Sequence, residues 1–234
     1  MNGGCIMQFN TSKACADHLR THFSTKYGVK LKATHARELV AAFFGYKSHA
    51  ALLAEKNYPL SQLGNASVLV PDTMLISQRS GKLNGLPTVM PGSKELAAEI
   101  VDFLHKGRFF TGKVWLYASI GEYIVEVFLF DEDYEVTEQL SGIMAETNAY
   151  FDETYYEDAE VLSGIDNLSV VATGQLNGAN DPDRMFCGDQ IDMTVTVELP
   201  RVAGRNAYAE PVISAVGQVN DDWVDPEVRY GRSS

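Results

Sequence analysis

The stretch Asp192–Leu199, DMTVTVEL, alternates polar and apolar side chains without a break. A period of two places Met193, Val195, Val197 and Leu199 on one face and Thr194, Thr196 and Glu198 on the other, the pattern of a strand with one wet face. Extended to Gln190–Pro200 it is a long strand, and LSVVATGQL (168–176) and PVISAVGQV (211–219) are companions for it. One-sided alternation belongs to antiparallel sheets.

Upstream, KVWLYASIG (113–121) and EYIVEVFLFD (122–131) are β-branched and aromatic, which predicts a hairpin turning at Gly121. VTEQLSGIMAETNAYF (136–151) repeats Leu140, Ile143, Met144 and Phe151 at helical spacing. KELAAEIVDFLHKG, capped by Ser93, carries Leu96, Ile100 and Leu104 on one face and stops at Gly107. Residues 93–234 therefore read as an α+β domain, a mostly antiparallel sheet with two helices.

Residues 1–60 read as a three-helix module. Cys15, Ala16, Leu19, Phe23 and Tyr27 form one arc of a helix over Thr11–Tyr27, with Gly28 to end it; Thr34 caps HARELVAAFF, and Ser48 caps HAALLAEK. Residues 61–92, rich in proline and glycine and with short apolar runs such as SVLV and TMLI, form a connecting segment with one or two short strands. ATGQLNGANDP (172–182) and AVGQVNDDWVDP (215–226) echo each other, which predicts two strands ending in similar acidic turns.

Charge divides the chain. Residues 1–60 hold eight Lys or Arg against three Asp or Glu, and residues 61–115 six against four, but residues 116–234 hold five against 24. An acidic surface repels phosphate backbones and attracts basic proteins.

No run reaches the roughly 18 to 20 apolar residues of a membrane span, and MNGGCIMQFN lacks the pattern of a signal peptide, so a cytoplasmic location without membrane contact is expected. Three scattered cysteines fit free thiols.

Residues 35–55, HARELVAAFFGYKSHAALLAE, have the spacing of a helix-turn-helix with Gly45 in the turn. As a DNA reader it would use Lys30, Lys32, Arg37, Lys47, Ser48 and His49, whereas Leu52 and Leu53 stand where base-reading side chains belong. The Ser/Thr-His start, alanine-rich helix, Phe-Gly-Tyr hinge and following short helix over residues 30–58 resemble the helical segment of glyoxalase-related bacterial proteins. That resemblance implies a bacterial or mobile-element origin and a helical accessory module. It does not bring the metal-dependent activity, whose His and Glu ligands are spread over paired βαβββ units, because no histidine follows His105.

Two clusters suggest metals. Cys15, His18 and His22 share one side of the first helix, with Cys5 a conceivable fourth zinc ligand; Asp181, Asp183, Asp189 and Asp192 crowd one turn without the order of a calcium loop. Both read better as structural, and no cofactor is expected. Cys187 has no later histidine to activate it, and no phosphate loop or Ser-centred elbow occurs, which points away from an enzyme.

The densest feature is FDEDYEV with NAYFDETYYEDAEV. There Asp131, Asp133, Tyr134, Asp152, Glu153, Tyr155, Tyr156, Glu157 and Asp158 interleave aromatic rings with carboxylates, a composition suited to binding a basic protein surface. The expected function is that of a non-enzymatic interaction protein, an inhibitor or regulator from a bacterial mobile element, docking on a basic protein surface such as that of a nucleic-acid-binding protein. The alternatives are a DNA-binding regulator and a cryptic metal enzyme or hydrolase.

Overall fold

The computed structural model describes residues 10–117 and 119–222. The fold is α+β, and the chain separates into two compact units: 1–118 with 199–210, and 119–198 with 211–234. Residues 1–60, 61–92 and the start of the expected body thus all contribute to the first unit.

In the first unit, Asn10 accepts from the Lys13 N–H and starts α1 (Thr11–Tyr27), and Gly28, at φ +67°, ends it. α2 (Ala33–Phe43) begins one residue before the expected Thr34 cap. From Leu39 to Phe44 every side chain is buried, because the C-terminal end of α2 is enclosed on all sides, whereas Thr34 and Arg37 at its start are exposed. Ser48 accepts from the Ala51 N–H and caps α3, which is only five residues long (His49–Leu53). Gly45 between α2 and α3 has φ +82°, and a Cβ there would stand 2.9 Å from the Cβ of Arg205.

A 3-10 turn (Leu60–Asn65) leads to β1 (Val68–Leu69), so SVLV contains a strand as expected. TMLI does not. It opens α4 (Thr73–Lys82), because the Asp72 carboxylate accepts from the Leu75 N–H at 2.8 Å and nucleates a helix. α5 (Ser93–Lys106) buries Leu96, Ile100 and Leu104 as expected, although its cap is Gly92 rather than Ser93. β2 (Lys113–Val114) pairs parallel with β1. The later segment 199–210 supplies the antiparallel neighbour β6 (Ala207–Tyr208), which also pairs with the end of β5 (Gln190–Ala203).

In the second unit, the expected hairpin at Gly121 is absent. Ile120–Asp131 is helical throughout: α6 (Ile120–Tyr123), a π-type turn (Ile124–Phe128) and α7 (Leu129–Asp131). The buried members are Ile124, Phe128 and Leu129, one face of a helix, so packing overrides the strand preference of a β-branched run. α8 (Asp133–Met144) buries Val136 and Leu140. The helix expected to reach Phe151 stops at Met144, and β3 (Ala149–Ser163) follows.

β3 pairs antiparallel with β4 (Asn167–Asn180), β4 neighbours β5, and β5 pairs antiparallel with β7 (Val212–Val219). The inner face carries Val170, Ala172 and Leu176 of β4, Ile191, Met193, Val195 and Val197 of β5, and Ile213 of β7. Asp192–Leu199 alternates in space as in sequence.

The two glycines of the echoed Ala-x-Gly-Gln segments are constrained differently. A Cβ on Gly174 would overlap the carbonyl oxygen of Tyr155 in the neighbouring strand, and one on Gly217 would stand 2.8 Å from Ile191 Cγ2, 3.1 Å from the Asp192 carbonyl oxygen and 3.2 Å from Leu140 Cδ2. No helix among the described residues is long and apolar enough to cross a membrane.

Candidate interface on an exposed acidic edge strand

β3 and β7 are the two edges of the second unit's sheet, and they differ. β7 is covered by α8, whose Gln139 side chain donates to the Ile213 carbonyl at 3.1 Å and accepts from the Ala215 N–H at 2.8 Å. An amide imitating a neighbouring strand is one way to blunt an edge. At β3, among the described residues, no strand pairs with the outer edge.

Register fixes what β3 presents. Glu153 stands opposite Asn177, Tyr155 opposite Gln175, Asp158 opposite Thr173 and Glu160 opposite Val171, which places these four on the outer face of the sheet. Register shifts between Phe151 and Glu153 and between Tyr156 and Asp158 insert Asp152 and Glu157 as extra residues. Glu157 lines a shallow depression of about 390 Å³ with Thr173, Gln175, Asp192, Thr194 and Gln218. Its floor is ordered by amides: Gln190 donates to Gln175 at 2.8 Å, and Asn220 donates to Asp192 at 3.1 Å.

The rings sort by face. Tyr150 is 69% exposed and Tyr155 56%. Tyr156 points inward at 8%, edge-on to Phe130 with centroids 5.6 Å apart, so it leaves the expected interface and joins the core. Burial, with the Asp133 carboxylate adding to it, pushes its hydroxyl well above the ordinary tyrosine range, and that hydroxyl has no hydrogen-bond partner. Asp133 accepts from Thr154 Oγ1 at 2.8 Å and ties the first turn of α8 to β3, whereas Asp131 and Tyr134 are exposed.

The second unit holds three Lys or Arg against 23 Asp or Glu, and the first unit 16 against eight. Among the described residues of the second unit the sole cation is Arg184, and it is spent on Asp181 at 3.3 Å. No salt bridge among the described residues involves Asp152, Glu153, Glu157, Asp158 or Glu160. Their charge is therefore available to a partner.

The residues singled out for DNA occupy the first unit. Lys30, Lys32, Arg37 and Lys47 are exposed, but the Ser48 hydroxyl caps α3 and the His49 N–H donates to Glu38 at 3.2 Å. Glu38 also holds Arg79 at 2.7 Å, so a carboxylate stands at the end of α3 that a recognition helix would present to a groove. With five residues and Leu52 buried, α3 offers little surface for base reading.

The Cys15, His18 and His22 set, the alternative to a structural reading, is not assembled. Cys15 is fully buried, and burial, partly countered by a backbone hydrogen bond, pushes its thiol up to about 12. His18 and His22 converge on Glu99 of α5 instead, a residue the sequence did not single out. Cys5 lies outside the described residues. Asp181 accepts from the Asp183 N–H and Asp192 faces the amide floor, so these two carboxylates of the acidic turn are engaged locally. Cys187 accepts from Asn148 Nδ2 at 3.4 Å, an amide and not a base.

Comparison with models of known protein families, with curated proteins and with solved structures gives no match.

Proposed function

We propose that this chain is a non-enzymatic interaction protein, an inhibitor or regulator, that docks the β3 edge and its outer face onto a basic protein surface. The observation that carries the reading is the open edge of β3, where five carboxylates that form no salt bridge among the described residues flank the exposed rings of Tyr150 and Tyr155. An extended segment rich in Lys or Arg can add to such an edge through main-chain hydrogen bonds, with its side chains paired to the carboxylates. Tyrosine supplies rigid contact area at low entropic cost, and the field of the unit speeds encounter. The bacterial mobile-element setting rests on the resemblance of residues 30–58.

The test compares the wild-type chain with Glu153→Lys/Glu157→Lys/Asp158→Lys in nuclease-treated bacterial lysate at low and high salt. A stoichiometric basic protein, held by the wild type at low salt and by neither the variant nor the wild type at high salt, supports the reading. Equal capture by the variant, or recovery of nucleic acid alone from untreated lysate, overturns it.

A further inference from the structure

We infer that His18, His22 and Glu99 form a site for a borderline divalent cation, zinc foremost, that clasps α1 to α5 within the first unit. The three residues come from two helices, and their ligand atoms lie within 4.8 Å of one another. Glu99 Oε1 stands 2.7 Å from His18 Nε2 and 2.8 Å from His22 Nδ1, so one carboxylate oxygen accepts from both rings.

The histidines are spaced i, i+4 on α1, which sets them one above the other on the same face. The neighbouring face belongs to Cys15, Leu19 and Phe23, all buried, so the histidine pair runs along the border between core and solvent. His18, His22 and Glu99 are 28%, 17% and 21% exposed: shielded enough to be held, open enough for an ion to enter.

The rings are braced. His18 stacks on Phe103 with centroids 4.3 Å apart and planes at 17°, and His22 meets Tyr27 edge-on at 5.8 Å. One turn before Glu99 on α5, Glu95 is engaged by Lys26 at 3.3 Å and by the Tyr27 hydroxyl at 3.1 Å, which leaves Glu99, among the described residues, as the carboxylate turned to both rings. Helix-borne ligands with fixed rings give a site its geometry before the ion arrives.

Two imidazoles and a carboxylate are a zinc ligand set that leaves one position for water. Tetrahedral coordination at roughly 2.0–2.2 Å spreads ligand atoms to a little over 3 Å, so Glu99 and the rings need to part by only about half an ångström. Each ring also needs its proton on the far nitrogen, which a neutral imidazole achieves by changing tautomer. Calcium and magnesium prefer oxygen ligands and are disfavoured here.

The test uses the full chain without an affinity tag, stripped with chelator and titrated with zinc against a chromophoric competitor. One equivalent is expected, with affinity falling on the order of 100-fold or more in His18→Ala and in His22→Ala. Glu99→Gln keeps a hydrogen-bonding side chain at the position, so its weakened binding is read on folded protein, as checked by circular dichroism. Cys15→Ala and Cys5→Ser/Cys187→Ser should bind as the wild type does, and the cobalt-loaded chain should show ligand-field bands without thiolate charge transfer. Zinc should raise the melting temperature of the wild type and leave that of His22→Ala unmoved. Binding unchanged in His18→Ala/His22→Ala, a thiolate band, or no zinc bound at micromolar concentration overturns the assignment.

Discussion

The side-chain amide of Asn206 donates to the Phe43 carbonyl at 2.6 Å and to the Val70 carbonyl at 2.8 Å. One buried amide thereby joins the end of α2, the residue that follows β1 and a segment that returns to the first unit from far along the chain. Its neighbour Arg205 donates its N–H to the Phe44 carbonyl at 3.2 Å, so the return is anchored at consecutive residues. Asn206→Leu removes both donations and leaves two carbonyls without them, which should cost about 2–4 kcal/mol in urea unfolding. A loss below about 0.5 kcal/mol would mean that the junction is held by packing alone.

Tyr156 and Tyr155 are adjacent but should respond oppositely. Tyr156→Phe removes a buried hydroxyl that has no partner and should leave the protein as stable or more stable, by up to about 1 kcal/mol. Tyr156→Ala should cost about 3–5 kcal/mol, as for other buried aromatic rings. Tyr155→Ala should stay within about 0.5 kcal/mol of the wild type yet weaken partner capture. Thermal melts of the three variants check the pattern, and a loss of several kcal/mol in Tyr156→Phe would disprove it.

Sodium chloride should stabilise the protein. With a single described cation in the second unit, the carboxylates repel one another, and salt screens that repulsion within about 10 Å at 0.1 M. The melting temperature is expected to rise between low salt and 0.5 M; a fall would show that attractive pairs dominate.

Alkali should destabilise the fold. Burial is the leading cause that raises the Cys15 thiol to about 12 and the Tyr46 and Tyr156 hydroxyls above their usual range. For groups that are neutral when protonated, a raised folded-state pKa means stability present in full below the unfolded value and lost as pH climbs through the folded one. Stability should therefore hold up to about pH 9 and decline above it. The same burial predicts that, in a Cys5→Ser chain at pH 8, Cys187 reacts with a thiol reagent before unfolding and Cys15 only after it.

Where local pattern and tertiary environment agree, the sequence was legible. β4, β5 and β7 alternate cleanly, and α1 and α5 carry full apolar faces. β3 was hidden because two inserted residues break its period and its outer edge is charged, so no uninterrupted alternation survives. Residues 120–131 misled in the other direction, since strand-forming residues were recruited to a helical face. At the metal site, His18 and His22 stood out while Glu99 did not, because it lies on another helix 77 residues beyond His22, among other acidic positions of α5. Cys15 matched the helical spacing of a ligand, but the same spacing aligned it with Leu19 and Phe23 and took it into the core.

Gly174 and Gly217 sit at matching places in two look-alike segments, and each yields to a backbone oxygen of an adjacent strand, Tyr155 for one and Asp192 for the other, with the Ile191 and Leu140 side chains also crowding Gly217. The likeness between the segments thus needs no duplicated ancestor. Two strands flanking the same neighbour were each stripped of a side chain by the atoms crowding it, and the shared letters record where bulk was forbidden.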